Sequence, residues 1–256
     1  ECSLHHWQFD TGGRCTRIPA SSSIPPFARQ TSYPTTTRQG NVYFFNGPAA
    51  DYPLPFFDGM SPGELVAAKP FVEFVDCPWY MIGANAVDMQ HFSIAHDRKL
   101  KTTPEVDYPN PLMHRTDCHL DVLGNSFTDR ITKRFGGAEV RLKVSDWCST
   151  MIFAHSRLKR TETFGMVAVI PISSVRTMAH VTVMARVGQG TIRRATLDPI
   201  RAAVRRLLIR DFLRSDIHRL RGTRFSPHTL IDIDQQFLEY FRWLAGVIRR
   251  PTKTES

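Results

Sequence analysis

Two short segments of the sequence concentrate side chains that bind transition metals. Near the N-terminus, Cys2 and His5 form a Cys-x-x-His pair, a spacing that suits zinc or half of the ligand set of an iron–sulfur cluster. Further along, residues 85–96 carry the pattern Asn-x-x-Asp-x-x-His-x-x-x-x-His. Imidazole nitrogens are common ligands of zinc, copper and iron, so the second segment also indicates a possible metal site.

The second segment has the spacing of one helix face over most of its length. On an α-helix, Asn85, Asp88 and His91 share a face because they follow one another at intervals of three residues. His96 lies about 140° further round an ideal helix, so the two imidazoles can share one metal only if the helix bends or ends between them. The competing interpretation is structural, with His91 in the core, Asp88 on a solvated face and His96 in a loop.

The surroundings of the N-terminal pair resemble a known family. Residues 2–19 read Cys-x-x-His-x-Trp-x-Phe-Asp-x-x-Gly-x-Cys-x-x-Ile-Pro, which is similar to the second half of a Rieske [2Fe–2S] domain, and residues 40–47 resemble its closing strands. Two Cys and two His hold the cluster in that family. The resemblance therefore implies that Cys2 and His5 are cluster ligands. The upstream Cys-x-His pair is absent from this sequence, so we expect a chain truncated within the Rieske domain, without a stable cluster and inactive by itself.

The second segment resembles the mononuclear iron motif of Rieske-type non-haem iron (aromatic-ring-hydroxylating) oxygenase alpha subunits. In that family two histidines and a distant carboxylate form a facial triad that leaves iron positions open for O₂. The resemblance implies that His91 and His96 bind Fe(II) and that Asn85 lies near the open positions. It also implies that Asp88 is a bridging carboxylate between His5 of the partner subunit and a metal-bound histidine, in a homotrimer.

The third iron ligand of the family lies on a helix near the C-terminus, where Asp232 and Asp234 are the candidates. On a helix predicted to begin near residue 233, Asp234 falls on the apolar, inward stripe, within about 80° of residues such as Phe237. Asp232 lies about 160° away and fits an N-cap, with Gln235 as its capping-box partner. A buried carboxylate needs a partner to offset its desolvation, and a metal provides one. We therefore predict that Asp234 is the ligand and Asp232 a structural cap.

The elements that must position these residues follow from the hydropathy pattern. Short β-like runs separated by turn residues, including one at 126–135, extend from about residue 115 to 186 and predict an antiparallel meander. A helix is predicted within 80–96, and two more follow the meander. The first of these, at about 199–221, has an apolar stripe, and arginines cover the rest of its surface. The stripe consists of Ile200, Val204, Leu207, Leu208 and Phe212.

These patterns predict an α+β protein in which helices precede and follow an antiparallel sheet. By resemblance, residues 1–50 are the C-terminal half of an all-β Rieske domain. Residues 51–256 are a catalytic mononuclear iron domain with a helix-grip (START-like) fold, in which a curved antiparallel sheet surrounds a long helix.

Composition narrows the function classes only slightly. The 256 residues carry a formal charge of +9, but no nucleic-acid-binding motif accompanies it, so we expect no nucleic-acid partner. No run approaches the roughly 20 apolar residues of a membrane-spanning helix. An odd number of scattered cysteines, five in all, argues against a disulfide framework and favours a reducing, cytoplasmic setting.

The resemblance implies an oxidoreductase that uses O₂ and electrons relayed from a Rieske cluster to a mononuclear Fe(II). Its reaction would hydroxylate, dihydroxylate or demethylate a small apolar or aromatic substrate. A ferredoxin or a flavin reductase would donate the electrons. The alternative is a non-catalytic helix-grip module that binds a hydrophobic ligand, and the iron content of the protein separates the two.

Overall fold

A computed structural model describes residues 1–231 and 234–248. The chain divides into two compact units, Glu1–Leu54 and Pro55–Ser256, with the division close to the expected boundary after residue 50. The first unit contains two small antiparallel sheets, formed by β1 (Gln8–Phe9) with β2 (Cys15–Arg17) and by β3 (Thr35–Arg38) with β4 (Asn41–Phe44). Its core is small and consists of Cys15, Ile18 and Ala28, against which Trp7 and Phe9 pack.

The second unit is built on an antiparallel sheet with nine strands among the described residues. The strand order is β5-β13-β12-β11-β10-β9-β7, while β6 also pairs with β13 and β8 with β9. The strands are β5 (Leu65–Ala67), β6 (Phe71–Val75), β7 (Arg98–Leu100), β8 (Glu105–Asn110), β9 (Met113–Val122), β10 (Glu139–Trp147), β11 (Met151–Leu158), β12 (Glu162–Ser173) and β13 (Arg176–Arg186).

Five α-helices in the described part of the chain accompany this sheet, so the α+β prediction is confirmed. The helices are α1 (Tyr80–Val87), α2 (Met89–His96), α3 (Phe127–Phe135), α4 (Thr191–Leu220) and α5 (Gln235–Ile248). The long α4 contacts β5, β6 and β13 and also touches the three helices that precede it. None of the helices in the described ranges is long and apolar enough to span a membrane.

One expectation about local structure is wrong and another holds only in part. The run 126–135 is helical rather than extended, because Ser126 caps the helix and forms a capping box with Asp129. On α4, Ile200, Val204 and Leu207 of the predicted apolar stripe are exposed, whereas Leu208 and Phe212 are half-buried and Phe212 packs against the core. The side of α4 that meets the sheet carries arginines whose long side chains reach polar groups there: the guanidinium of Arg206, for example, donates to the Lys69 carbonyl at 2.7 Å.

The core that supports the site lies between the sheet and α2. Because side chains alternate along a strand, Cys118 and Leu120 on β9 and Leu142 on β10 point to the same face. They pack against Met89 and Phe92 of α2 in one buried cluster. Burial of a side chain such as Phe92 contributes about 1.5–3 kcal/mol, so this contact fixes the short helix on the sheet.

Candidate metal centre

The helical segment that carries the two histidines is interrupted at Asp88. Its extended backbone (ψ of 103°) ends α1, and its carboxylate Oδ1 accepts hydrogen bonds from the backbone N–H groups of Gln90 (2.9 Å) and His91 (3.4 Å). Asp88 is therefore the N-cap of α2. The break precedes His91, whereas the sequence argument required it between His91 and His96, so both histidines lie on α2.

Both imidazoles nevertheless reach one carboxylate, which belongs to Asp216 on α4. Asp216 Oδ1 lies 2.7 Å from His96 Nε2 and 3.9 Å from His91 Nε2. One ligand atom from each residue lies within 4.8 Å of the others. In the described part of the chain, this is the one group of three or more such side chains whose ligand atoms converge. The ring centroids of His91 and His96 are 5.3 Å apart and the ring planes are inclined at 75°, so the two imidazoles approach the carboxylate from different directions.

The hydrogen bonds around His91 leave one ring nitrogen available to a metal. His91 Nδ1 donates to the backbone carbonyl of Asp88 at 2.5 Å, so Nε2 carries the lone pair that faces Asp216. Burial lowers the pKa of His91, although Asp216 opposes the shift, and the neutral imidazole is the form that binds metals. A carbonyl that holds the distal ring nitrogen is the usual second contact of a metal-ligating histidine.

His96 has a buried ring nitrogen without a well-formed hydrogen bond. Its Nε2 lies 2.7 Å from Asp216 Oδ1, but the angles are unsuitable for a hydrogen bond, and no other residue in the described part of the chain satisfies this atom. Buried polar atoms are nearly always paired, so an orphan here needs an explanation. Two imidazole nitrogens and a carboxylate oxygen that converge in this way are a donor set suited to a divalent ion such as Fe(II).

Asp234, the predicted third ligand, is absent from this group. Its Oδ1 accepts a hydrogen bond from Gln90 Nε2 (3.1 Å) and its Oδ2 from the backbone N–H of Ile231 (3.1 Å). Asp234 immediately precedes α5, which begins at Gln235, and its carboxylate is directed at Gln90 and the Ile231 backbone rather than at the two histidines. Asp232, the predicted cap, lies outside the described residues.

A signal for Asp216 was present in the sequence. Ile209, Phe212, Leu213, Asp216 and Leu220 follow the i, i+3, i+4, i+7, i+11 spacing of one buried helix face. A carboxylate in the middle of an apolar helix face is unusual, and the same argument was the reason to choose Asp234. Asp216 is only 7% exposed, and the same test applied to α4 would have made it a second candidate beside Asp234.

The remaining predicted site residues lie in different environments. Asn85 is half-buried on α1. In the first unit, Cys2 is half-buried and His5 exposed, in a turn closed by the Cys2 N–H donating to the Trp7 carbonyl at 2.8 Å. These two residues are one of the two ligand pairs that a Rieske cluster takes. The residues present therefore fit a mononuclear iron but do not by themselves fit a complete cluster.

Solved structures with this fold cover nearly the whole chain. NdmA of Pseudomonas putida CBB5 with caffeine aligns with a TM-score of 0.67 and 16% identity over 95% of this chain and 70% of that one. Dicamba monooxygenase bound to 3,6-dichlorosalicylic acid aligns with a TM-score of 0.66 and 16% identity, over 97% of this chain and 81% of that one. At this level of identity the likeness establishes the fold.

Curated proteins match part of this chain in sequence. The oxygenase subunit of tert-butanol monooxygenase / tert-amyl alcohol desaturase from Aquincola tertiaricarbonis is 32% identical over 100 residues, 38% of this chain and 21% of that protein. An oxygenase component of 3-ketosteroid-9-alpha-monooxygenase from Rhodococcus rhodochrous is 28% identical over 141 residues, 50% of this chain and 35% of that protein. No family model matches.

The fold is α+β and is shared with the solved structures of NdmA and dicamba monooxygenase. Over the matched segments the sequence is similar to the oxygenase components of Rieske-type non-haem iron oxygenases. These segments span about a third or less of the curated relatives.

Proposed function

We propose that this protein holds one Fe(II) between His91, His96 and Asp216 and catalyses the O₂-dependent hydroxylation, dihydroxylation or demethylation of an apolar or aromatic substrate. The observation that supports this most directly is the convergence of the three ligand atoms within 4.8 Å in a buried position. A set of two imidazoles and one carboxylate leaves coordination positions open, and iron bound in this way supplies O₂ activation.

The chain prepares this site before any metal binds. The Asp88 carbonyl holds His91 in the tautomer whose Nε2 faces Asp216. Phe212 stacks on the His96 ring at 3.8 Å and 12° and limits its rotation. The Asp216 carboxylate supplies one negative charge, which offsets part of the charge of a divalent ion in a position that water reaches poorly.

The surroundings favour an apolar substrate. Met89 and Phe92 of α2 are buried on either side of His91 along the chain, and they pack onto the apolar face of the sheet. Relatives and structural neighbours bear the names of enzymes for ketosteroids, cholesterol and dicamba, or were solved with caffeine. We propose a substrate of this general kind, a ring compound with few charges.

The electron supply is the least constrained part of the proposal. We expect a ferredoxin or a flavin reductase as donor, in the cytoplasm, and a homotrimer in which Asp88 bridges to His5 of the partner subunit. In the structure the Asp88 carboxylate caps α2, so a bridging role would come in addition to the capping role. The Rieske cluster needs ligands beyond Cys2 and His5.

The test is iron binding followed by product analysis. The protein is titrated anaerobically with Fe(II), and then supplied with O₂, a ferredoxin–reductase pair and a panel containing a 3-ketosteroid, caffeine and dicamba. We expect one iron per chain, and a hydroxylated or demethylated product once a second Cys–His pair completes the ligand set of the Rieske cluster. His91→Ala should lose both, whereas the control His119→Ala, at an exposed position on β9, should retain both. Binding of panel compounds without any iron binding would instead support the ligand-binding module.

A further inference from the structure

A buried arginine lies directly behind His96. Arg98 is 8% exposed, and its guanidinium donates a hydrogen bond to the backbone carbonyl of His96 at 2.6 Å. His96 is the last residue of α2, so this carbonyl is one of the helix-terminal acceptors that lack a partner within the helix. Between the two residues, Asp97 adopts a left-handed conformation (φ of 49°) that turns the chain back on the helix end.

The same guanidinium forms an ion pair with a second buried residue. Arg98 donates to Asp129 Oδ1 at 2.7 Å, and both side chains are about nine-tenths buried. Burial raises the pKa of Asp129, but hydrogen bonds from Ser126 and Arg98 outweigh this effect, so the pKa lies below its ordinary value and the carboxylate stays charged. Gly124 allows the close approach, since a Cβ atom there would collide with the Asp129 carboxylate.

The ring that stacks on His96 belongs to the same assembly. Phe212 lies parallel to the imidazole of His96, with ring centroids 3.8 Å apart. The guanidinium carbon of Arg98 lies 5.9 Å from the centre of the Phe212 ring, within the range of a cation–π contact. Arg98 thus holds the backbone of His96 directly and its ring through Phe212.

We propose that the Arg98–Asp129 ion pair positions His96 as a metal ligand. This inference rests on the proposed function, because it assumes that His96 binds the ion. A buried ion pair is a poor way to stabilise a fold, since desolvation of two charges offsets much of their attraction. A planar guanidinium that joins the backbone of His96 to the carboxylate of Asp129 instead restricts the position of His96.

The test separates positioning from stability. Arg98→Met leaves the buried Asp129 carboxylate without its cationic partner, although Ser126 still donates to it, and should destabilise the protein. The double variant Arg98→Met/Asp129→Asn removes both charges and should recover much of the stability. Unfolding of the metal-free protein in urea measures this. Co(II) affinity and the visible absorption spectrum of bound Co(II) measure the site. We expect the double variant to bind Co(II) about 10–100-fold more weakly, with altered absorption bands, as for the loss of other outer contacts of metal ligands.

Two further variants complete the design. Arg98→Lys keeps the charge without the planar fork, so it should fold normally and bind Co(II) about 10-fold more weakly. The control Arg115→Met removes another arginine that joins two carboxylates, Asp58 and Asp107, and should leave Co(II) binding unchanged. Wild-type affinity and spectrum in both Arg98→Lys and the double variant would overturn the inference while leaving the proposed function intact. Failure of the wild-type protein to bind Co(II) or Fe(II) would overturn both.

Discussion

The assignment of the third ligand to Asp216 leads to a quantitative prediction. Asp216→Asn preserves the shape of the side chain but replaces a charged ligand oxygen that lies 2.7 Å from His96 Nε2. Loss of a hydrogen bond to a metal-ligating side chain lowers metal affinity by about 10–100-fold. Loss of the charge of a ligand itself should therefore lower metal affinity by at least about 100-fold. The side chain is 9% exposed, so solvent screens this charge weakly and cannot easily replace it.

The expected change in thermal stability follows by mass action. At a metal concentration about 100 times the wild-type Kd, binding stabilises the native protein by about 2.7 kcal/mol. For a chain of this size that corresponds to an increase in Tm of roughly 5–11 °C. A 100-fold weaker variant gains only about 0.4 kcal/mol, an increase of about 1 °C. Each variant is compared with its own metal-free form, so changes in the stability of the metal-free protein cancel.

The matched control is Asp234→Asn, at the position that the sequence argument favoured. Asp234 contacts Gln90 and the backbone of Ile231, so this variant should retain the full metal-dependent increase in Tm. Differential scanning fluorimetry under anaerobic conditions, with Fe(II) or Co(II), measures both variants. The reasoning is refuted if Asp234→Asn abolishes the increase while Asp216→Asn retains it.

Three other substitutions test features around the site. Gly83→Ala should lower the free energy of unfolding by about 1–3 kcal/mol or more, because the added Cβ would lie 2.6 Å from Asp146 Oδ2. The control Gly246→Ala places a Cβ on α5 in open space, and it should raise the free energy of unfolding in urea by about 0.5–1 kcal/mol. Burial raises the pKa of Asp146 to about 7. The native state therefore keeps a proton that the unfolded chain releases near pH 4. The free energy of unfolding should then fall by up to about 4 kcal/mol as the pH rises from 4 to 7. Asp146→Asn should lack this slope, and equal slopes in both proteins would contradict the argument. Asp88→Ala removes the cap of α2, so it should lower the free energy of unfolding by about 0.5–2 kcal/mol and weaken metal binding at His91. Asp88→Asn keeps a capping oxygen and should change neither quantity. An equal loss of metal affinity in both variants would show that the charge of Asp88 matters rather than the cap.

The resemblance to one short motif singled out the candidate residues that lie close together in the sequence. It brought His91 and His96 to attention, whereas helix spacing alone placed their side chains about 140° apart. The antiparallel meander followed from alternating apolar residues. The helix at 127–135 could also have been predicted, since Ser126 and Asp129 have the spacing of a capping box.

The third ligand could not be assigned in this way because it depends on tertiary packing. Asp216 and Asp234 are both carboxylates beside apolar residues, and helix geometry ranks them only when the start of each helix is known. Helix α5 begins one residue after Asp234, which is within the usual uncertainty of a predicted boundary. On α4, arginines such as Arg206 reach polar groups beside the sheet, so hydropathy alone could not show that Ile200 and Leu207 of the apolar stripe are exposed while Phe212 packs inward.

The two histidines owe their geometry to the ends of α2. An isolated helix of eight residues is unstable in water, so its conformation depends on capping and burial. At the first end Asp88 caps the helix and its carbonyl orients the His91 ring; at the second end Arg98 binds the carbonyl of His96. Each histidine therefore lies within three residues of a fixed helix terminus, where the backbone is least free to shift. A short helix held at both ends can present two imidazoles about 140° apart to a single carboxylate from another helix. A longer helix anchored only by its apolar face would hold the two imidazoles less accurately.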